Sequence, residues 1–286
     1  MRLGVSAFAW TARLDRSSVK LAEGLKKQGV AALEVPMFQP SDLPVREIRS
    51  ALAGEGLACT VCAILPKGVN PISPEASVRR AAADHLGRCL DTAAELGASL
   101  IGGPLYAPIG YIPPHRPNQD EWEWAVDAFQ RLDPLLDERQ LSLSIEPVNR
   151  SETSFLRTAE EAARLCDAIG SARVGVTIDT FHANIEELNV PEAMRQLGNQ
   201  LKHVHISEND RGPVGRGHIP FHQIISVLSD MNYGGYLMIE GFGFSADQID
   251  APGWLWAAAD ISPELLVEES VGYLHTLLNT CSRPSL

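Results

Sequence analysis

The segments Leu141-Ser142-Leu143-Ser144-Ile145-Glu146 and Val174-Gly175-Val176-Thr177-Ile178-Asp179 alternate aliphatic with small or polar residues, and each ends on a carboxylate. Successive side chains of a strand point to opposite faces. Leu141, Leu143 and Ile145 therefore share one face, and so do Val174, Val176 and Ile178. Two later segments, His203-Val204-His205-Ile206 and Leu237-Met238-Ile239-Glu240, divide the same way. Val204, Ile206, Leu237 and Ile239 take the aliphatic face. Glu146, Asp179, His205 and Glu240 all fall on the other.

Working outward, short β-like runs alternate with longer helical patterns along the whole chain. Strands are predicted at 3–7, 31–35, 59–64, 99–102, 141–146, 174–179, 203–207 and 236–240. Amphipathic stretches lie between them at 19–28, 45–53, 75–96, 122–138, 159–169, 191–197 and 221–231, and a last helix follows at 263–278. Ser17-Ser18, Ser41, Thr158 and Ser262 stand as N-terminal signals, and Gly29, Gly97 and Gly170 as helix stops. Eight strand–helix pairs in 286 residues predict an α/β fold, a single (β/α)8 TIM barrel domain spanning residues 1–286. An open doubly wound sheet is the competitor. That fold usually carries a glycine-rich turn after its first strand, whereas here Phe8-Ala9-Trp10 follows.

Composition narrows the function classes. The chain is 45% hydrophobic and 21% charged, which suits a soluble protein with ample core. A net charge of −12 argues against a broad nucleic-acid or anionic-membrane surface, since both require positive charge. Met1-Arg2-Leu3-Gly4-Val5 enters a strand at once, so no signal peptide is expected. The longest uncharged stretch, 96–114, holds four prolines and four glycines and is not a membrane helix. Five scattered cysteines read as buried thiols in a cytoplasmic protein, and Cys59 and Cys62 lack the partners of a zinc site.

Barrel active sites form at the C-terminal ends of the strands, where Glu146, Asp179, His205 and Glu240 all stand. Each alone would read as a solvated strand end or a core histidine. Together, three carboxylates and an imidazole converging on one rim would repel one another, and a divalent cation resolves that conflict. An oxygen-rich set with one nitrogen suits Mn²⁺, or else Co²⁺ or Mg²⁺, better than a thiolate-preferring metal.

The flanking motifs carry a resemblance. Glu146 opens Glu-Pro-Val-Asn-Arg-Ser-Glu, Asp179 opens Asp-Thr-Phe-His, and His205 opens His-Ile-Ser-Glu-Asn-Asp-Arg. Residues 213–220 (Pro-Val-Gly-Arg-Gly-His-Ile-Pro), Glu240-Gly241-Phe242 and the earlier Gly102-Gly103-Pro104-Leu105-Tyr106 complete the series. The ordered set resembles the D-tagatose 3-epimerase family of ketose 3-epimerases, among the xylose-isomerase-like barrels, most clearly over residues 141–243. The resemblance implies that Glu146, Asp179, His205 and Glu240 bind the metal. It also implies that Glu146 and Glu240 act as the acid/base pair, and that Glu152, His182 and Arg211 hold the carbonyl end of a keto-sugar. The reaction implied is epimerisation of a free ketose at C3 through an enediolate, with proton donors and acceptors on two opposite faces. Strands five and eight lie three places apart in a closed ring, so Glu146 and Glu240 approach a central substrate from different sides.

Phe8, Trp10, Cys62, Tyr106 and Phe242 are candidate pocket walls. The segment 244–261, with Trp254 and Trp256, is a candidate lid or subunit contact, and a homodimer or homotetramer is expected. Related chemistries stay open on sequence: a hydroxypyruvate isomerase-like aldose–ketose isomerase, or a dehydratase of the inosose or dehydroshikimate type. An abasic-site endonuclease would need more histidines and a basic face. A non-catalytic sugar-binding barrel is the remaining rival.

Overall fold

The computed structural model describes residues 1–242 and 261–281. Its eight parallel strands close into a barrel in sequence order. They are β1 (Arg2–Ser6), β2 (Ala32–Met37), β3 (Ala58–Ala63), β4 (Leu100–Gly103), β5 (Ser142–Ile145), β6 (Val174–Asp179), β7 (Leu201–Ile206) and β8 (Tyr236–Ile239). The ring is sealed by β1 pairing with β8. Around it run α1 (Val45–Glu55), α2 (Ala76–Leu96), α3 (Gln119–Glu138), α4 (Ala159–Ile169), α5 (Thr180–Glu186), α6 (Val190–Leu197), α7 (Phe221–Asp230) and α8 (Pro263–Cys281).

The parity expected from the sequence holds. Leu143, Ile145, Val176, Ile178, Val204, Ile206, Leu237 and Ile239 are all buried in the large apolar layer between sheet and helices. Inside the barrel, Ala32, Tyr236 and Met238 form a separate small cluster below the polar residues. Burying each aliphatic side chain in the outer layer contributes about 1.5–3 kcal/mol, so a one-residue slip of any strand would be costly.

The local signals act as their chemistry requires at several ends. Thr158 caps α4 by accepting from the Glu161 amide, while the Glu161 carboxylate accepts from the Thr158 amide. Asn118 and Glu121 do the same for α3. Ser262 accepts from the Leu265 amide at the start of α8. Gly97 and Gly170 end α2 and α4 in the left-handed conformation.

Two expectations need correction. The helix predicted over 19–28 is broken into 3-10 turns at Ser18–Ala22 and Leu25–Gln28, because Gly24 takes φ 81° between them. Ser17 and Ser41 cap nothing with their side chains: the Ser17 turn makes no side-chain cap bond, and α1 starts instead at Pro44. The short helix α5 was not anticipated. It begins directly on Asp179, whose carboxylate accepts from the Phe181 amide at 2.8 Å. Of the segment 244–261, residues 244–260, including Trp254 and Trp256, lie outside the described residues. No helix among the described residues is long and apolar enough to cross a membrane.

Candidate active site

Four strand ends bring the predicted carboxylates and imidazole together. One ligand atom from each of Glu146, Asp179, His205 and Glu240 lies within 4.8 Å of all the others, and all four residues are buried. Nδ1 of His205 lies near both glutamates, 3.3 Å from Oε1 of Glu146 and 3.7 Å from Oε1 of Glu240. The strand-end geometry explains the convergence. Asp179 is registered opposite His205 in the β6–β7 pair, and Glu146 and Glu240 each lie one residue past their strands.

Arg211 reaches into the same cluster from the β7–α7 connection. Its Nη1 donates to Oδ2 of Asp179 at 2.6 Å, to Oε2 of Glu240 at 2.8 Å and to Oγ of Ser207 at 2.7 Å. Its guanidinium carbon lies 4.1 Å from the Phe181 ring centre and 4.8 Å from that of Phe242. The Arg211 backbone takes φ 60°, a conformation that costs a non-glycine residue energy and persists only when its surroundings impose it. Glu208 supplies much of that constraint. Its buried carboxylate accepts from the main-chain amides of Asn209, Gly215 and Ile219, and its carbonyl accepts from the Arg211 amide at 3.0 Å.

A second group hangs on His182, on α5. The main-chain amide of Asn149 donates to its Nδ1 at 3.2 Å, which leaves the ring proton on Nε2. That nitrogen lies 3.2 Å from Nη2 of Arg211 and 3.7 Å from Oδ2 of Asp179, and both His182 and Arg211 line the pocket. Asn149 also donates from its side chain to Oε1 of Glu152 at 2.8 Å. Glu152, His182 and Arg211 thus converge as expected.

Electrostatics sort these groups. Burial raises Asp179, but Arg211, His182 and His205 outweigh it and hold the carboxyl well below its usual range. Burial pushes Glu152 up to about 7 and Glu240 up to about 8, against the pull of Arg211 on both. Burial drives His182 down to about 3, keeping it neutral. Burial opposes the charge of His205, yet Glu34, Glu240 and Glu146 raise it well above the ordinary imidazole value.

The donor set fits a divalent cation. Glu146, Asp179 and Glu240 supply three carboxylates against the one guanidinium of Arg211, and a 2+ ion would favour the ionised form of all three and the neutral form of His205. Glu34, Cys62, His205 and Glu240 form a second group within the same 4.8 Å limit. Burial, with Glu34 next, pushes the Cys62 thiol well up, so the thiolate a metal would need is disfavoured and the oxygen-rich group is the better site.

Above the cluster a pocket is walled by Phe8, Cys62 and Phe242, as predicted, together with Ile64, Pro104, Ile109 and Val148. The Phe8 and Phe242 rings lie 5.2 Å apart. Two predicted walls sit elsewhere. Tyr106 is fully buried behind the pocket, stacking on Phe155 and donating to the Leu156 carbonyl at 3.1 Å. Trp10 donates to Glu264 at the start of α8. Sequence reasoning missed Glu34 and His203, both buried inside the barrel. The signal was available: Glu34 is the lone charge of β2, and His203 shares the parity of His205.

A family model described as the xylose isomerase-like TIM barrel matches residues 22–276. A D-psicose 3-epimerase of Agrobacterium fabrum is 32% identical over 250 residues, 86% of each chain. A probable ketose 3-epimerase of Synechocystis is 25% identical and covers 98% of both chains. The D-psicose 3-epimerase of Clostridium cellulolyticum, solved with D-tagatose, superposes with a TM-score of 0.85 at 25% identity, covering 99% of this chain and 100% of its own. The chain belongs to the xylose isomerase-like TIM barrels and, among them, to the ketose 3-epimerases, which are isomerases.

Proposed function

We propose that this chain works as one barrel domain that epimerises a free ketose at C3 through an enediolate, using a divalent cation. The observation that carries the reading is the convergence of Glu146 and Glu240 on Nδ1 of His205, beneath a pocket whose other polar groups are Glu152, His182 and Arg211.

Glu146, Asp179, His205 and Glu240 would hold the cation, Mn²⁺ or otherwise Co²⁺ or Mg²⁺, and it would supply fixed positive charge for the oxygen anion developing beside the reacting carbon. The Nε2–H of His182 and the guanidinium of Arg211 then orient the carbonyl end, and Glu152 accepts a hydroxyl hydrogen bond. One glutamate removes the C3 proton and the other returns one to the opposite face, exchanging roles when the reaction reverses. Phe8 and Phe242 close the apolar side and exclude water. Association into a homodimer or homotetramer in the cytoplasm accords with this reading.

Glu240→Gln tests the assignment. The variant should still fold and bind a ketose, while C3 exchange falls by about 10²-fold or more. Full C3 exchange in a metal-loaded Glu240→Gln protein would sink the two-glutamate mechanism.

A further inference from the structure

We propose that Glu34 is a positioning residue that fixes the His205 ring with its Nε2–H toward β2 and its Nδ1, the nitrogen left for a cation, turned toward Glu146 and Glu240. The inference rests on the reading that those three ligands and Asp179 hold a divalent cation.

Glu34 lies on β2, three places around the ring from β7, and is fully buried. Both of its oxygens are engaged. Oε2 accepts from Oγ1 of Thr60 at 3.0 Å and faces Nε2 of His203 at 2.8 Å. Oε1 lies 2.9 Å from Nε2 of His205 in an ion-pair contact, and neither of these two buried atoms makes any hydrogen bond, so each is left to the other. A carboxylate accepts and does not donate, so both imidazoles must present N–H to it. For His205 that choice has a chemical result. With Nε2 held protonated, Nδ1, the nitrogen 3.3 Å from Oε1 of Glu146, is the one that gives up its proton and offers a lone pair when a cation binds.

The arrangement is a carboxylate–histidine pair behind a metal ligand, which sets ring orientation and raises ligand basicity. Its other contacts keep Glu34 from turning away. Thr60 and His203 tie down the second oxygen, and the His203 ring meets the His205 ring edge-on at 82° with centres 5.0 Å apart. Neither Glu34 nor His203 touches the pocket above the cluster, so neither group meets substrate.

The test measures cation affinity and ring tautomer together. Full-length wild type, Glu34→Gln and Thr60→Val are titrated with Mn²⁺ and read by electron paramagnetic resonance. The His205 ring nitrogens are read by ¹⁵N NMR in the Mg²⁺-loaded proteins. Glu34→Gln replaces one acceptor by an amide N–H that must oppose one of the two imidazole N–H groups, and affinity should fall about 10–100-fold. Thr60→Val, nearly isosteric, leaves the charge in place but frees one side of it, and should cost a smaller loss. Wild-type His205 should show a protonated Nε2, whose proton resonance moves upfield in Glu34→Gln. Affinity within twofold of wild type in Glu34→Gln, or a wild-type His205 protonated on Nδ1, overturns the proposal. If wild type itself takes up no Mn²⁺, the cation reading fails and takes this role with it; intact wild-type binding with a negligible Glu34 effect sinks the role of Glu34 alone.

Discussion

Arg211 is the residue on which the cluster's charge balance turns. One nitrogen serves Asp179 and Glu240 at once, which holds two buried carboxylates in place before any cation is counted. Close by, Cys62 is subject to the opposite influence. Burial raises its thiol well above the ordinary value, and Cys59, Cys89 and Cys166 are each pushed up to about 12 by the same cause. Thiols react as thiolates, and at pH 8 a group with a pKa near 12 is ionised about once in 10⁴ molecules. Iodoacetamide at pH 8 should therefore leave all four cysteines unlabelled in the native protein and label them in urea, as peptide mass spectrometry will register. Rapid native labelling of Cys62 would contradict the buried, protonated wall described here.

Among the elements, β4 depends on Gly103 for its close approach to β3. This residue takes φ 125°, and a Cβ there would overlap the Ala63 carbonyl oxygen of β3. Gly103→Ala should lower stability by about 3 kcal/mol or more, measured by urea denaturation. A loss below 1 kcal/mol would mean the β3–β4 contact is looser than described. The same elements mark how much could be read in advance. Strands β5 to β8 were legible because buried aliphatic residues alternate with inward polar ones, and β6 falls on its predicted 174–179. The proposed metal ligands followed because they are strand-end charges. Glu34 did not stand out because it sits in mid-strand, where its meaning depends on His203 and His205, about 170 residues away in the chain. The 3-10 turns at 18–28 were hidden because an amphipathic pattern does not register one left-handed glycine. Tyr106 was misplaced for a related reason: an aromatic in a loop after β4 has the right composition for a wall, but its hydroxyl finds the Leu156 carbonyl behind the pocket.

On the scale of the whole molecule, the barrel gathers charges from β2, β5, β6, β7 and β8 into one interior set that no local segment contains. The chain's −12 is mostly on the surface, while a small buried subset of its acidic groups forms the candidate site. The outer layer fixes strand register, register fixes the height of each strand end, and matching height brings Glu146 and Glu240 together at Nδ1 of His205. Two carboxylates lining one pocket are the reason to expect exchange at a carbon held between them. The most direct measurement incubates the Mn²⁺-loaded protein in D₂O with D-fructose, D-psicose, D-tagatose and L-ribulose, and follows deuterium by NMR. The account predicts deuterium at C3 together with the C3 epimer. Deuterium at C1 alone, loss of water from the sugar, or no exchange with any of these ketoses would contradict it.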